Sequence, residues 1–425
     1  MKIIQISNGD FFSEYGGGQV YVKTLVNEMI RQHRDVTVFS LVEKGKKAIC
    51  KKEYKGISIY EISSLDPEII GRQLQQLAPD IVHIHIAKHF FSSLCKSLFI
   101  TNVVTSHHGG IVCPAGTLLD YKDRICRVKA DFENCLPCVL KGCKLGINFY
   151  PGLKRMSLTS RLAMGKFFEK IPFIYFLTPV ATTTTAIERK HIEWNTVATD
   201  ADLIIAPSQA IADSLLLNGL NKEKLKIIPH GIPYQTFIKS EHSQTLSPVM
   251  RFFYVGRICY PKGIHILLRA FSLLKREDVE LHLIGSLENE YASRLVREYK
   301  SDPRIFFYGK IPNEKVPQAI RKLDVLVHPA IYLEVFGLNI GEALLEGKPV
   351  IATRSGGPEM QIVSGENGIL IPPNDVHAMV ESMEWVADHP EKVEKMSKKA
   401  PQTVLSMEEH VKMIINAYAQ LLADK

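Results

Sequence analysis

The sequence predicts two α/β domains, each a parallel sheet doubly wound with helices. Three observations lead there. The chain has 425 residues, 46% of them hydrophobic, which is too long for one ordinary core and suits two domains of about 200 residues. Short apolar runs alternate with amphipathic stretches almost throughout, as parallel strands and their crossover helices do. Between the halves, Gly231 to Val249 carries prolines and serines without periodicity and reads as a linker.

In the first half the predicted strands are Ile3–Ser7, Val36–Leu41, Gly56–Glu61, Ile81–His85, Val103–Ser106, Leu203–Pro207 and Lys226–Pro229. Helical spacing separates most of them, as in Gly18 to Arg31, where Val20, Val22, Leu25, Val26, Met29 and Ile30 share an apolar side. The second half repeats the rhythm with Phe252–Val255, Glu280–Ile284, Ile305–Tyr308, Val325–His328, Val350–Thr353 and Gly368–Ile371. Domain limits of 1–230 and 231–406 follow, with a last amphipathic segment, about 407–425, free to return to the first domain. Residues of about 110–180 interrupt the first domain without clear strands and read as a long irregular functional insert. Two such domains facing each other would place strand C-terminal ends, and a ligand, in a deep cleft between them.

The net charge of +7 is modest for this length, so its distribution matters more than its size. One cluster is Lys44, Lys46, Lys47, Lys51, Lys52 and Lys55. The other runs from Lys154 to Lys170, where Lys154, Arg155, Arg161, Lys166 and Lys170 alternate with bulky apolar residues. That interleaving suits an anionic membrane surface, or a cationic rim over a buried helix face. No helix-turn-helix, zinc-finger or RNA-platform pattern accompanies the charge, so nucleic acid is not an expected partner. Met1 to Ser7 reads as a buried strand and not a signal peptide. No run of about 18 apolar residues occurs, the nearest being Ile171 to Val180. The expected location is cytoplasmic, with peripheral contact at the inner membrane face left open.

The chemistry concentrates around Glu334 and Glu342, eight positions apart. A helix beginning near Gly337 would hold Glu342 and leave Glu334 on the loop before it, roughly 12 Å away along the axis. Carboxylates so separated do not share a proton. They suit the two ends of an elongated hydroxyl-bearing ligand, with the backbone N–H groups of Phe336, Gly337 and Leu338 offering a place for negative charge between them. Solvated glutamates on an amphipathic helix are the alternative.

Arg257 and Lys262 follow a buried strand and precede a helix, so a planar fork and a point charge can meet a diphosphate there. Gly16, Gly17 and Gly18 precede the first helix and would let backbone approach a phosphate. They come too late after the strand for a dinucleotide fingerprint. His107 and His108 end a strand before two glycines, where an imidazole can hydrogen-bond a hydroxyl or move a proton. His83 and His85 share one strand face and pack in, or line, the sheet end. Cys113, Cys126, Cys135, Cys138 and Cys143 contain one close pair; four thiolates would suit zinc, and buried free thiols are the alternative. No metal site is assigned.

These residues form a pattern that resembles the retaining glycosyltransferases of family 4, with the GT-B fold, over nearly the whole chain. It rests on Gly16-Gly-Gly-Gln19, Thr105-Ser-His107, Gly256-Arg257 with Lys262-Gly263, and above all on the E-x7-E segment with Gly347-Lys-Pro-Val-Ile-Ala-Thr353 and Gly356-Gly-Pro-Glu359. The resemblance implies an acceptor-side first domain and a second domain that binds a nucleoside diphosphate sugar. It implies that Glu342 holds ribose hydroxyls, Glu334 holds a hydroxyl of the transferred sugar, and Arg257 and Lys262 neutralise the diphosphate. Backbone at Phe336, Gly337 and Leu338, and at Gly17 and Gly18, would complete the phosphate cradle, with His107 near the reacting carbon. No cofactor is then required, because two cations can do the electrostatic work on the leaving group. His108 stands where the family often has an aspartate. The expected activity is transfer of a hexose-type sugar to a glycan or lipid-linked acceptor in polysaccharide biosynthesis. The alternatives are a sugar-nucleotide epimerase of the same fold and a non-catalytic nucleotide-sugar-binding protein.

Overall fold

The computed structural model describes residues 1–9, 11–12, 17–43, 48–143, 146–170, 178–233 and 249–424. Gly16, the lysines at 44, 46 and 47, most of the apolar run at 171–180 and most of the linker lie outside them. The chain forms two compact units. One comprises Met1–Tyr121, Arg127–Pro229 and Met407–Lys425; the other comprises Lys122–Cys126 and His230–Ser406.

The first unit holds β1 (Lys2–Asn8), β2 (Asp35–Leu41), β3 (Ile49–Tyr54), β4 (Ile57–Ile62), β5 (Ile81–Ile84), β6 (Asn102–Thr105), β7 (Leu203–Ala206) and β8 (Leu225–Ile227). They pair in the order β3-β4-β2-β1-β5-β6-β7-β8. All pairs are parallel except β3 with β4. Strands β5, β6 and β7 are buried along their whole length, as expected where helices cover both faces. One face is closed by helix Gly17–Arg31 and helix Met407–Ala423, whose Val22, Leu25, Val411 and Tyr418 join Ile81, Val103 and Leu203 in one core.

Three expectations change here. The lysine-rich segment is the edge strand β3, which the sequence reading missed because its exposed positions carry charge where a buried strand would carry apolar residues. Its Lys52 pairs with Glu61 and Lys51 lies over the Tyr60 ring; lysines on an edge strand discourage pairing with other chains. The insert has no strand among the described residues and is irregular over 112–131, as read, but from residue 132 on its described part is mainly helical. Helices Phe132–Lys141, Tyr150–Arg155 and Leu158–Lys170 share a small core of Cys135, Leu136, Leu140, Leu153, Val180 and Ile187. Pro137 inside the first of these helices obscured its pattern. Arg161 is also corrected as a surface cation, being buried against Glu133.

The second unit holds β9 (Met250–Val255), β10 (Val279–Ile284), β11 (Ile305–Gly309), β12 (Val325–His328), β13 (Val350–Thr353) and β14 (Gly368–Ile371). All pairs are parallel, in the order β11-β10-β9-β12-β13-β14. The order therefore runs outward one way from β9 and the other way from β12. Between those two strands the loops at the C-terminal ends diverge and leave room for a ligand.

Candidate active site

In the second unit the loops after β9 and β12 are tied by close backbone contact. Gly263 has a φ of 70°, and a Cβ there would sit 1.9 Å from the Pro329 carbonyl oxygen, so no other residue fits. The Ile331 N–H donates to the Pro261 carbonyl at 2.9 Å. This apposition carries Lys262 to the far loop, where its Nζ lies 2.5 Å from Glu334 Oε2 and 5.3 Å from the centre of the Tyr332 ring. His328, the last residue of β12, lies with Nε2 3.1 Å from the same carboxylate oxygen.

Glu334 is fixed by its backbone. Its N–H donates to the Ser355 carbonyl and its carbonyl accepts from Gly357 N–H, both at 2.8 Å. A Cβ on Gly357 would stand 2.4 Å from Phe336 Cα, which explains the second glycine of that loop. Gly337, with a φ of 81°, caps helix Leu338–Leu345 without any side-chain capping bond, so the first N–H groups of that helix remain available to a ligand. Gln361 Nε2 donates to the Phe336 and Gly337 carbonyls, and Asn339 Nδ2 to the Val255 carbonyl at 2.9 Å. The helix start is thereby anchored to the end of β9.

The two glutamates have opposite electrostatics. Burial alone would favour the protonated form of Glu334, but the Lys262 ammonium and the His328 hydrogen bond hold its carboxyl well below the usual range. Glu334 in turn raises Lys262 against the effect of burial, while burial keeps His328 low and neutral. Glu342 is half-buried, has no ion pair or side-chain hydrogen bond among the described residues, and is pushed up by burial to about 7. Arg257 is exposed and its guanidinium is likewise unpaired among the described residues. One glutamate is locked in a charge cluster; the other is ready to accept hydrogens from a ligand.

In the first unit the ends of β5 and β6 carry a chain of hydrogen bonds. His107 Nε2 lies 2.8 Å from His85 Nδ1, and His85 Nε2 lies 2.8 Å from Gln5 Oε1. Gln5 Nε2 donates to the Tyr418 hydroxyl at 3.3 Å, and that hydroxyl lies 2.6 Å from His83 Nδ1. His83 Nε2 reaches the Thr105 hydroxyl at 2.7 Å. Proton counting fixes the direction. The Gln5 carbonyl oxygen can only accept, so His85 carries its proton on Nε2 and accepts on Nδ1. His107 therefore donates from Nε2, and the basic nitrogen of the neutral ring is Nδ1. Burial drives His83 down to about 3, which keeps that ring uncharged. Tyr21, from the helix that Gly17 and Gly18 begin, packs edge-on against His107 at 5.0 Å. Both glycines are exposed, with no side-chain neighbour within 4 Å of a Cβ at Gly18.

Two profiles match the chain. One, described as Glycosyltransferase Family 4, covers residues 15–129; the other, described as Glycosyl transferases group 1, covers residues 240–403. The chain belongs to glycosyltransferase family 4. Among its relatives, a D-rhamnosyltransferase of Pseudomonas aeruginosa is 30% identical over 191 residues, 42% of this chain and 48% of that protein. The chain spans about half the length of the curated relatives it matches. The fold is GT-B. Sucrose-phosphate synthase from Thermosynechococcus elongatus superposes with a TM-score of 0.69 at 18% identity over 100% of both chains. HepE of Anabaena in complex with UDP gives 0.66 at 16% identity, covering 99% of this chain and 100% of that one.

Within this family member, the structure brings Lys262 and Glu334 into direct contact and places Phe336, Gly337, Leu338 and Glu342 on one loop and helix. Gly17, Gly18 and His107 belong to the other unit. His328, Tyr332 and the His85–Gln5–Tyr418 chain were not singled out. His328 had a signal, since it ends a strand in the same way as His107; the link from Gln5 to Tyr418 had none, because 413 residues separate them. Cys113 and Cys135 are buried and Cys126, Cys138 and Cys143 half-buried, and among the described residues no group of three metal-ligating side chains converges.

Proposed function

We propose that the protein is a retaining glycosyltransferase that moves a hexose-type sugar from a nucleoside diphosphate to a hydroxyl of a glycan or lipid-linked acceptor in polysaccharide biosynthesis. The observation that carries this is the Lys262–Glu334–His328 cluster on loops flanking the switch point of the second unit's sheet, with Glu342, unpaired among the described residues, on the helix that follows. Glu342 accepts from the ribose hydroxyls and Glu334 from a hydroxyl of the sugar. Arg257 and Lys262 stabilise the charge that grows on the departing diphosphate, aided by the open helix start at Gly337. In a front-face displacement the bond from the anomeric carbon to the phosphate oxygen breaks, the bond to the acceptor oxygen forms on the same face, and the acceptor proton passes to the leaving phosphate. The residues named need no cofactor for this. The solved structure of HepE holds UDP, which supports a nucleotide donor here as well.

The test is a thermal-shift screen against nucleoside diphosphates and their sugars, followed by turnover with Glu342→Gln and Arg257→Ala. The preferred nucleotide should raise Tm, because it binds only the folded chain, and both variants should weaken donor binding and lower turnover. Unchanged binding and turnover in both would overturn the assignment, and isomerised donor without any acceptor would point to an epimerase.

We also propose peripheral contact with anionic lipid at the cytoplasmic face. Lys154, Arg155, Lys166, Met156, Leu158 and Phe167 are all exposed on the helical insert, and among the described residues no helix is long and apolar enough to cross a membrane. Sedimentation with anionic vesicles should weaken with salt and with Arg155→Glu plus Lys166→Glu; indifference to both would remove the idea.

A further inference from the structure

The strand ends of the first unit have two faces, and the histidine chain uses only one. Paired residues in a parallel sheet share a face, and the register sets Ile84 beside Val104 and Val104 beside Ile204. Side chains alternate along a strand, so Thr105 and His107 lie on the face of Val103, and Ser106 and His108 lie on the opposite face with Val104. His108 is still in extended conformation, which carries the alternation to it.

That second face holds polar groups with no use in the fold. The Ser106 hydroxyl is completely buried and has no hydrogen-bond partner among the described residues. Ser208, just past the end of β7, is equally buried and likewise unpartnered among the described residues, and it stands at the N-cap of helix Gln209–Leu217 without making the usual capping bond. Lys88 begins helix Lys88–Ser97 after β5 and is only 8% exposed. Its Nζ donates to the His85 carbonyl at 2.8 Å, yet no carboxylate among the described residues pairs with it. Lys190 adds positive potential from the neighbouring helix Thr183–Asp200, although it is itself paired with Glu193. A buried ammonium without a counter-charge is costly, and burial together with Lys190 lowers Lys88 to about 8. His108 reaches solvent, yet partial desolvation of its ring, together with Lys88 and Lys190, lowers it to about 4, so it is a neutral donor.

We propose that Lys88, Ser106, His108 and Ser208 form a site for a phosphoryl group carried by the acceptor. This deepens the transferase reading and rests on it. One compact cation with several single hydroxyl or N–H donors suits a tetrahedral oxyanion. A carboxylate is better matched by the planar fork of an arginine, and these strand ends present none. The phosphoryl group lies on the acceptor side of the sheet, one residue from His107 along the chain. The acceptor is thus a sugar phosphate or a lipid-linked sugar diphosphate; the two share this chemistry.

Inorganic pyrophosphate is the probe, added to the full chain already saturated with nucleoside diphosphate so that the donor site is occupied. The wild-type protein should gain a further, saturable rise in Tm. Lys88→Gln should weaken pyrophosphate binding at least tenfold and Ser106→Ala several-fold, with nucleotide affinity within twofold of wild type in both. No added stabilisation in the wild type, as expected if water alone fills the site, would overturn the proposal. So would variants that bind pyrophosphate like the wild type. Should Lys88→Gln fail to fold, Ser106→Ala decides. If nucleoside diphosphate itself does not bind, the transferase reading falls, while loss of pyrophosphate binding in the variants still upholds the site. Turnover then separates the sources: a KM far lower for a lipid-linked diphosphate than for a soluble sugar phosphate selects the lipid, and the reverse order selects the soluble compound. Equal KM for a phosphorylated and an unphosphorylated acceptor would overturn the site.

Discussion

The two units solve a similar placement problem with different chemistry. In the second unit the strand ends hold the Lys262 ammonium against the Glu334 carboxylate, with the neutral His328 ring on the same Oε2. In the first unit His107 is held by a chain of neutral groups in which every proton has an assigned place. A charged cluster is held by Coulomb attraction that strengthens with burial, but it is destabilised when one partner is removed. A neutral chain is worth less per bond, and its value is direction, since it sets which nitrogen of His107 is basic. The comparison teaches that the first unit orients and the second unit compensates charge.

The largest expected effect comes from breaking the charged cluster. Glu334→Ala leaves Lys262 without its partner, and urea unfolding should show a loss of about 3–5 kcal/mol. Turnover should fall by roughly 10²–10³. A variant of wild-type stability would mean that the pair is not compensating buried charge.

Next comes the neutral chain. Tyr418→Phe strands His83 Nδ1 and the Gln5 amide and should cost about 1–3 kcal/mol, measured in the same way. His85→Leu removes the acceptor of the His107 proton, whereas His85→Gln retains one. Turnover should therefore fall about tenfold or more in the leucine variant and recover in the glutamine variant. Nitrogen NMR of labelled histidines should find His107 protonated on Nε2 in the wild type and a mixture in the leucine variant. If His107 keeps one tautomer in both, orientation does not come from His85.

Glu342 gives a pH effect. Its carboxyl is raised to about 7 by burial, so its contribution to the stability of the unliganded protein is present below the ordinary carboxylate range and is lost as pH rises through about 7. Nucleotide binding needs the ionised form to accept hydroxyl hydrogens. Affinity should therefore fall towards tenfold per pH unit below about 7, and Glu342→Gln should flatten that slope in calorimetric titrations. The smallest effect lies outside both clusters. Lys52→Gln at the edge strand should cost about 0.2–1 kcal/mol through Glu61 and leave turnover unchanged.

Much of the second unit was legible in the sequence because each of its strands is a compact apolar run, and because its site lies on two loops that are continuous in the chain. Glu334, Gly337 and Glu342 sit on one of these loops and its helix; Arg257 and Lys262 sit on the other. The first unit was harder to read. A charged edge strand has no apolar signal, and a helical insert with an internal proline loses its period. Gln5, His85 and Tyr418 look like ordinary packing residues when read singly.

The sequence by itself determined the alternation of strands and helices, the two-domain α/β class, and the residue types proposed to recognise hydroxyls and phosphate. Those follow from local periodicity and from short-range spacing, which a chain carries wherever it folds. Only the tertiary structure decided that Lys262 rests on Glu334, that helix Met407–Ala423 reaches His107 through Tyr418, Gln5 and His85, and that, among the described residues, Lys88 stays buried without a counter-charge and the Ser106 and Ser208 hydroxyls without a hydrogen-bond partner. Each depends on parallel strands from distant parts of the chain being set side by side, a property of the sheet order and not of any one segment.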